Sequence, residues 1–260
     1  MGWQRYVAVG DSFTEGLDDP YPQGGGFRGW ADLIAARLAA LAGPGFGYAN
    51  LAVRGRLFDP IVTEQVPAAL TLTPDLVSFA AGGNDVLRRR CDPHALVARL
   101  DTVIADIRAT GADVVMFRFA DLTARLPGQR LLSRRVAVLN RGVGETAERH
   151  GARLVDLWAD EEFANPLLWS ADRLHLSAAG HRRAAAHVLS ALGVASEAAW
   201  FEAPARPVPV PWLSARRDDL RWAGQHLAPW VKRRLTGRSS GDNVLPKRPT
   251  LGPLDRPMTD

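Results

Sequence analysis

Apolar positions along the chain fall into short runs that alternate with longer stretches of helical spacing. Tyr6-Val-Ala-Val is an apolar run that ends at Gly10-Asp-Ser, and it reads as a buried strand. Trp30, Leu33, Ile34, Arg37, Leu38 and Leu41 recur at helical spacing until Gly43 stops them. Gly47-Tyr-Ala-Asn-Leu-Ala reads as a second strand, and Asp59-Pro60 as a helix start with Asp59 as cap. Leu76-Val-Ser-Phe-Ala predicts a third strand and runs into Gly82-Gly-Asn-Asp85. Asp92-Pro93 opens a helix reaching about Thr110. Val114-Val-Met-Phe-Arg-Phe is a fourth strand, 133–150 a helix and Leu154-Val-Asp-Leu a fifth strand. Ser177 caps a last helix through Leu192.

Five strands alternating with helices predict a three-layer α/β/α fold built on a five-stranded parallel sheet. In such sheets ligands bind beyond the carboxyl ends of the strands. Gly10-Asp-Ser, Ala52-Val-Arg-Gly55 and Gly82-Gly-Asn-Asp85 all fall there. No internal repeat is evident. From about Ala203 the pattern changes. Pro204, Pro207, Pro209 and Pro211 make a stiff connector. Leu220, Ala223, Leu227, Trp230, Val231 and Leu235 then form a short amphipathic pattern that Pro229 interrupts. Residues 237–260 read either as disordered or as ordered by wrapping the body. The expected division is a main domain over 1–202 and a Pro-rich, basic extension over 203–260 that wraps or caps it. Trp212, Trp222 and Trp230 would anchor that extension on the body or hold it as a lid.

Composition narrows the classes. The net charge of +4 is small for 260 residues, and the arginines are spread rather than gathered into a stripe, which argues against nucleic acid. One cysteine, Cys91, excludes an internal disulfide. No apolar run approaches membrane-spanning length, and no secretory leader is read at the N-terminus. A cytoplasmic protein acting on a small molecule is expected; oligomeric state is not legible.

A serine becomes a nucleophile when a histidine takes its proton, and that histidine needs a carboxylate to fix its tautomer. Ser12 follows the first strand, though Gly10-Asp-Ser taken alone suits a helix cap equally well. Of six histidines, only His175 has an acid three residues before it, Asp172, in a loop ahead of the last helix. Alone, that pair reads as a solvated turn. His181 and His187 read as surface or packing residues. Asn84 and Gly55, each explicable as a turn residue, stand where oxyanion donors are needed. Asp11 and Asp85 would bond loop N–H groups. Arg28 and Trp30 would shape a substrate mouth or pack a helix start.

Together these segments resemble the SGNH hydrolases, the GDSL esterase/lipase family. Gly10-Asp-Ser12 with Thr14 and Gly16, Asn50-Leu-Ala-Val-Arg-Gly55, Gly82-Gly-Asn84-Asp85 and Asp172-Arg-Leu-His175 stand in the family's order and spacing. The resemblance spans about residues 5–192. It implies a flavodoxin-like fold, with Ser12 as nucleophile, His175 as base and Asp172 as acid. Ser12, Gly55 and Asn84 would be the oxyanion donors. It implies cleavage of carboxylic esters of a small molecule, lipid or sugar without metal or cofactor. An acyltransferase on the same site and a non-catalytic binding protein of the same fold remain the rival readings. A nucleotide-binding protein is disfavoured, because neither a Gly-x-Gly-x-x-Gly after the first strand nor a Walker-type lysine occurs.

Overall fold

The computed structural model describes residues 2–123, 129–207, 212–229 and 239–254. Strand β1 (Arg5–Gly10) lies at the centre of the sheet. It pairs in parallel with β2 (Gly47–Asn50) on one side and β3 (Leu76–Ala80) on the other. Strands β4 (Asp113–Arg118) and β5 (Arg153–Asp156) extend the sheet beyond β3. A sixth strand, β6 (Arg248–Gly252), pairs antiparallel with β2, so the order is β5-β4-β3-β1-β2-β6. The five parallel strands follow the flavodoxin-like order. The expected five-stranded sheet is thus corrected to six strands. Arg248-Pro-Thr-Leu-Gly252 gave no strand signal, because it lacks apolar alternation and contains Pro249. An edge strand tolerates such a proline.

Alternation along each strand divides the core. Tyr6 and Ala8 of β1 face α2 (Gly29–Ala42) and α8 (Ala178–Ala191), with Trp30, Ile34 and Leu189. Val7 and Val9 face the opposite layer, made by α6 (Pro93–Ala109) and α7 (Gln129–His150), with Leu100, Ile104 and Leu139. Strands covered on both faces are mostly apolar, with Asn50 and Ser78 as buried polar exceptions, so they read as near-continuous apolar runs. Among the described residues, no helix is long and apolar enough to cross a membrane.

Asp92 caps α6 through the N–H groups of His94 and Ala95. Asp59 does not cap its helix. The chain is already helical from Phe58 in α3 (Phe58–Pro60), and Phe58 donates its N–H to Asp85, which follows β3 in the chain, at 2.9 Å. A π-helical turn over Ile61–Gln65 follows, then α4 (Val66–Thr71).

Beyond the proline-rich connector, α9 (Trp212–Trp222) is followed by a π-turn at Ala223–Leu227. Leu220, read as part of an apolar stripe, is 75% exposed. The indole of Trp222 lies beneath Arg173. Trp230, Val231, Leu235 and the side chain of Trp212 lie outside the described residues. Lys247, just ahead of β6, reaches into the body and meets the fully buried Asp32 of α2 at 2.8 Å.

Candidate active site

Strand β1 delivers Ser12 to the carboxyl edge of the sheet. Ser12 begins the one-turn helix α1 (Ser12–Glu15), which Asp11 caps by accepting the Phe13 N–H. Gly10 is required by space, since a Cβ there would meet the Ala80 carbonyl at 2.7 Å. Gln65 clamps the same residue. Gly10 donates its N–H to Oε1 at 2.8 Å, and Nε2 donates to the Gly10 carbonyl at 3.0 Å. Two hydrogen bonds thus fix the backbone two residues before the Ser12 hydroxyl. Gln65 carries no chemical motif in the sequence that marks it as a site residue. Its signal was an amide at position i+4 from Ile61 and i−4 from Ala69, both buried, which places it on an apolar face.

The loop between Trp169 and Leu176 is closed by a β-bridge between those two residues. Inside it, Asp172 Oδ1 accepts from the N–H groups of Leu174 (2.9 Å) and His175 (3.0 Å) and from the Ser170 hydroxyl (2.7 Å). Its other oxygen accepts from His175 Nδ1 at 2.5 Å. His175 Nε2 lies 2.9 Å from Ser12 Oγ. With Nδ1 protonated toward Asp172, Nε2 is left to accept the serine proton. Burial opposes the charge of Asp172, but the hydrogen bond and charge of His175 hold its carboxyl well below the usual range. Burial also pushes His175 down. The bond and charge of Asp172, with Asp18 and Asp11 beyond, more than offset this and raise it above the ordinary histidine value.

Asn84 lies on the short helix α5 (Gly83–Val86), beside Ser12 in the wall of the cleft. Its amide donates to Asp11 Oδ2 at 2.9 Å and to the Arg56 carbonyl at 3.0 Å. Both partners are acceptors, which settles the orientation of the amide. Asp11 is pushed up to about 6 by burial, against the Phe13 hydrogen bond and the charge of His175. Gly55 adopts a left-handed φ of 73° and does not line the cleft. Ser239 of the C-terminal segment donates to its carbonyl at 3.1 Å, and a Cβ at Gly55 would strike the hydroxyls of Ser239 and Ser240.

Arg28 and Trp30 do not form the mouth. Arg28 is buried in an ion pair with Asp19, and Trp30 is fully buried against Phe13 and Phe117. His181 is a packing residue: it accepts from the Trp30 N–H and faces the Leu17 carbonyl, and burial lowers its pKa to about 4. His187 bonds Asp160.

From Ser12 and His175 a cleft open to solvent runs between α5, α7 and the ends of β4 and β5. Its walls are largely apolar: Leu17, Val86, Leu87, Phe119, Leu122, Val136, Leu139, Leu157, Trp169 and Leu174. Asp18, Asp172 and His175 could offer three metal-ligand atoms within 4.8 Å of one another. Both ring nitrogens of His175 are already engaged, by Asp172 and Ser12, so this set does not offer an open metal site.

The fold and the family agree. Residues 8–183 match the GDSL-like lipase/acylhydrolase family, and the chain belongs to it. It is a hydrolase of the esterase/lipase type. Among solved structures, it is similar to TesA (26% identity, TM-score 0.59, covering 73% of this chain and 98% of that one). It is also similar to the acetylxylan esterase Axe2 from Geobacillus stearothermophilus (21%, TM-score 0.60, 75% and 97%). A third is the lipase/acylhydrolase from Enterococcus faecalis (23%, TM-score 0.58, 72% and 94%). At these identities, the latter two show the fold alone. No curated protein matches the chain.

Proposed function

We propose that the chain hydrolyses carboxylic esters through an acyl-enzyme on Ser12, with His175 as base and Asp172 as its orienting acid. The continuous hydrogen-bonded path from Asp172 through His175 to Ser12 carries this reading. As Ser12 Oγ attacks the carbonyl carbon, its proton passes to His175 Nε2, and Asp172 stabilises the imidazolium. The imidazolium then protonates the leaving alcohol. Water, deprotonated by the same histidine, releases the acid and restores Ser12. The Ser12 N–H and the Asn84 amide, both on the cleft wall, are the donors assigned to the oxyanion. Asn84 serves by exchanging one of its two present bonds for the oxyanion. The apolar walls beyond Ser12 favour a hydrocarbon acyl chain over a polar one.

Turnover of a panel of p-nitrophenyl esters from acetyl to long-chain, with and without a competing alcohol, tests the reading. Free acid is the expected product. Product carried wholly on the added alcohol would make the chain a transferase, and no turnover of any ester would remove the hydrolase assignment.

Two further outcomes are expected. Asn84→Ala should lower kcat by roughly a hundredfold or more, the usual loss for one oxyanion donor; an unchanged kcat takes Asn84 out of the reaction. The base works only when neutral. Because the His175 pKa is raised, kcat/KM should fall with decreasing pH around a midpoint above the ordinary histidine value. Asp172→Asn should move that midpoint down as it removes the charge. A limb at or below the ordinary value in the unmodified enzyme would contradict the assignment.

A further inference from the structure

Arg173, inside the Asp172–His175 turn, has a left-handed φ of 61°, a conformation that strains any residue with a Cβ and that glycine or asparagine meets more easily. The turn needs this backbone, because Asp172 Oδ1 collects the N–H groups of Leu174 and His175 across it. An arginine at such a place points to a use for its side chain. The guanidinium donates through Nη1 to Asp219 Oδ1 of α9 at 2.8 Å, and its centre lies 4.8 Å from the ring centroid of Trp222, three residues on. Asp219 and Trp222 share one face of α9 and hold the guanidinium by charge and by ring. Arg216, one turn earlier in α9, lies 3.9 Å from the other Asp219 oxygen. This helix lies outside residues 8–183, the stretch that matches the family.

We propose that Arg173 is a positioning residue through which α9 of the C-terminal extension holds the acid–base loop in register with Ser12. This rests on the reading of Ser12, His175 and Asp172 given above. The pair is partly exposed, so it adds little to global stability. Its effect lies in where the turn carries His175, two residues from Arg173, and a misplacement of about 1 Å is enough to cost a hundredfold in rate.

The test compares Arg173→Gly, Asp219→Asn and the double variant with the unmodified full chain, on p-nitrophenyl butyrate. Glycine suits the left-handed backbone, so Arg173→Gly removes the grip without straining the turn. Each single variant should lose roughly tenfold in kcat, within the range that misplacement allows, while KM stays within about twofold. The double variant should be no slower than the slower single, since both cut the same link. Melting temperatures should stay within about 3 °C of the unmodified chain, as expected for a surface pair. A normal kcat in either single variant, or a multiplicative loss in the double, overturns the proposal. So does a loss of rate that accompanies unfolding. If the unmodified chain turns over no ester, the hydrolase reading falls as well, and the two failures are thereby told apart.

Discussion

Replacing Ser12 by alanine should reduce ester turnover by roughly four to six orders of magnitude while the protein stays folded, the loss seen when a hydroxyl nucleophile is removed from such a relay. The size follows from chemistry. Without Oγ no acyl-enzyme can form, and His175 can only activate water at a position shaped for the serine oxygen. The residual rate would come from the oxyanion donors and from binding in the cleft. The fold should survive because Ser12 contributes one hydroxyl bond, to His175, while α1 is capped by Asp11 and Gly10 is clamped by Gln65. Loss of turnover on p-nitrophenyl esters, with unchanged circular dichroism and melting, is the expected result. Normal turnover by the alanine variant would end the mechanism.

The second large effect concerns stability. Lys247→Met should destabilise the protein by about 3–5 kcal/mol, the usual cost of removing one partner of a buried pair. Asp32 is fully buried on α2 and accepts from Tyr48 at 2.6 Å, from Tyr21, and from Lys247 Nζ at 2.8 Å. Lys247 also donates to the carbonyls of Phe27 (3.0 Å) and Arg28 (2.7 Å). Burial pulls the ammonium pKa down, and Asp32 opposes that pull. Methionine would leave a carboxylate in the interior without its cation, and two carbonyls without their donor. Asp32→Asn with Lys247→Met should recover much of the loss, because the unpaired charge is then gone. Denaturant midpoints measure both. A single variant within about 1 kcal/mol of the unmodified chain, the range of an ordinary substitution, would show that the pair is not needed. A loss of the expected size would show that the C-terminal extension bears on the stability of the body.

The contrast between Asp92 and Asp59 shows where reading the sequence succeeds. Asp92 caps the helix that it precedes, through N–H groups two and three residues on. At Asp59 the same dipeptide pattern fails, because the N–H group at the helix start is satisfied by Asp85, which a different strand brings in. Strand β6 repeats the lesson. Its residues have little strand character of their own, and they pair because β2 presents an open edge beside them.

The parallel strands, the helices between them, the family motifs and the Asp172-x-x-His175 spacing were legible in the pattern of residues alone. Strands buried on both faces are mostly apolar, and an acid three residues from a histidine is close enough in the chain to meet it within a turn. Tertiary structure decided the rest. It brought His175 to Ser12 across 163 residues and set Gln65 against Gly10. It buried Lys247 on Asp32 and laid α9 against Arg173. Each of these joins polar groups distant in the chain. Their energies depend on how completely the fold removes them from water and on the partner it supplies, and no local pattern of residues encodes either.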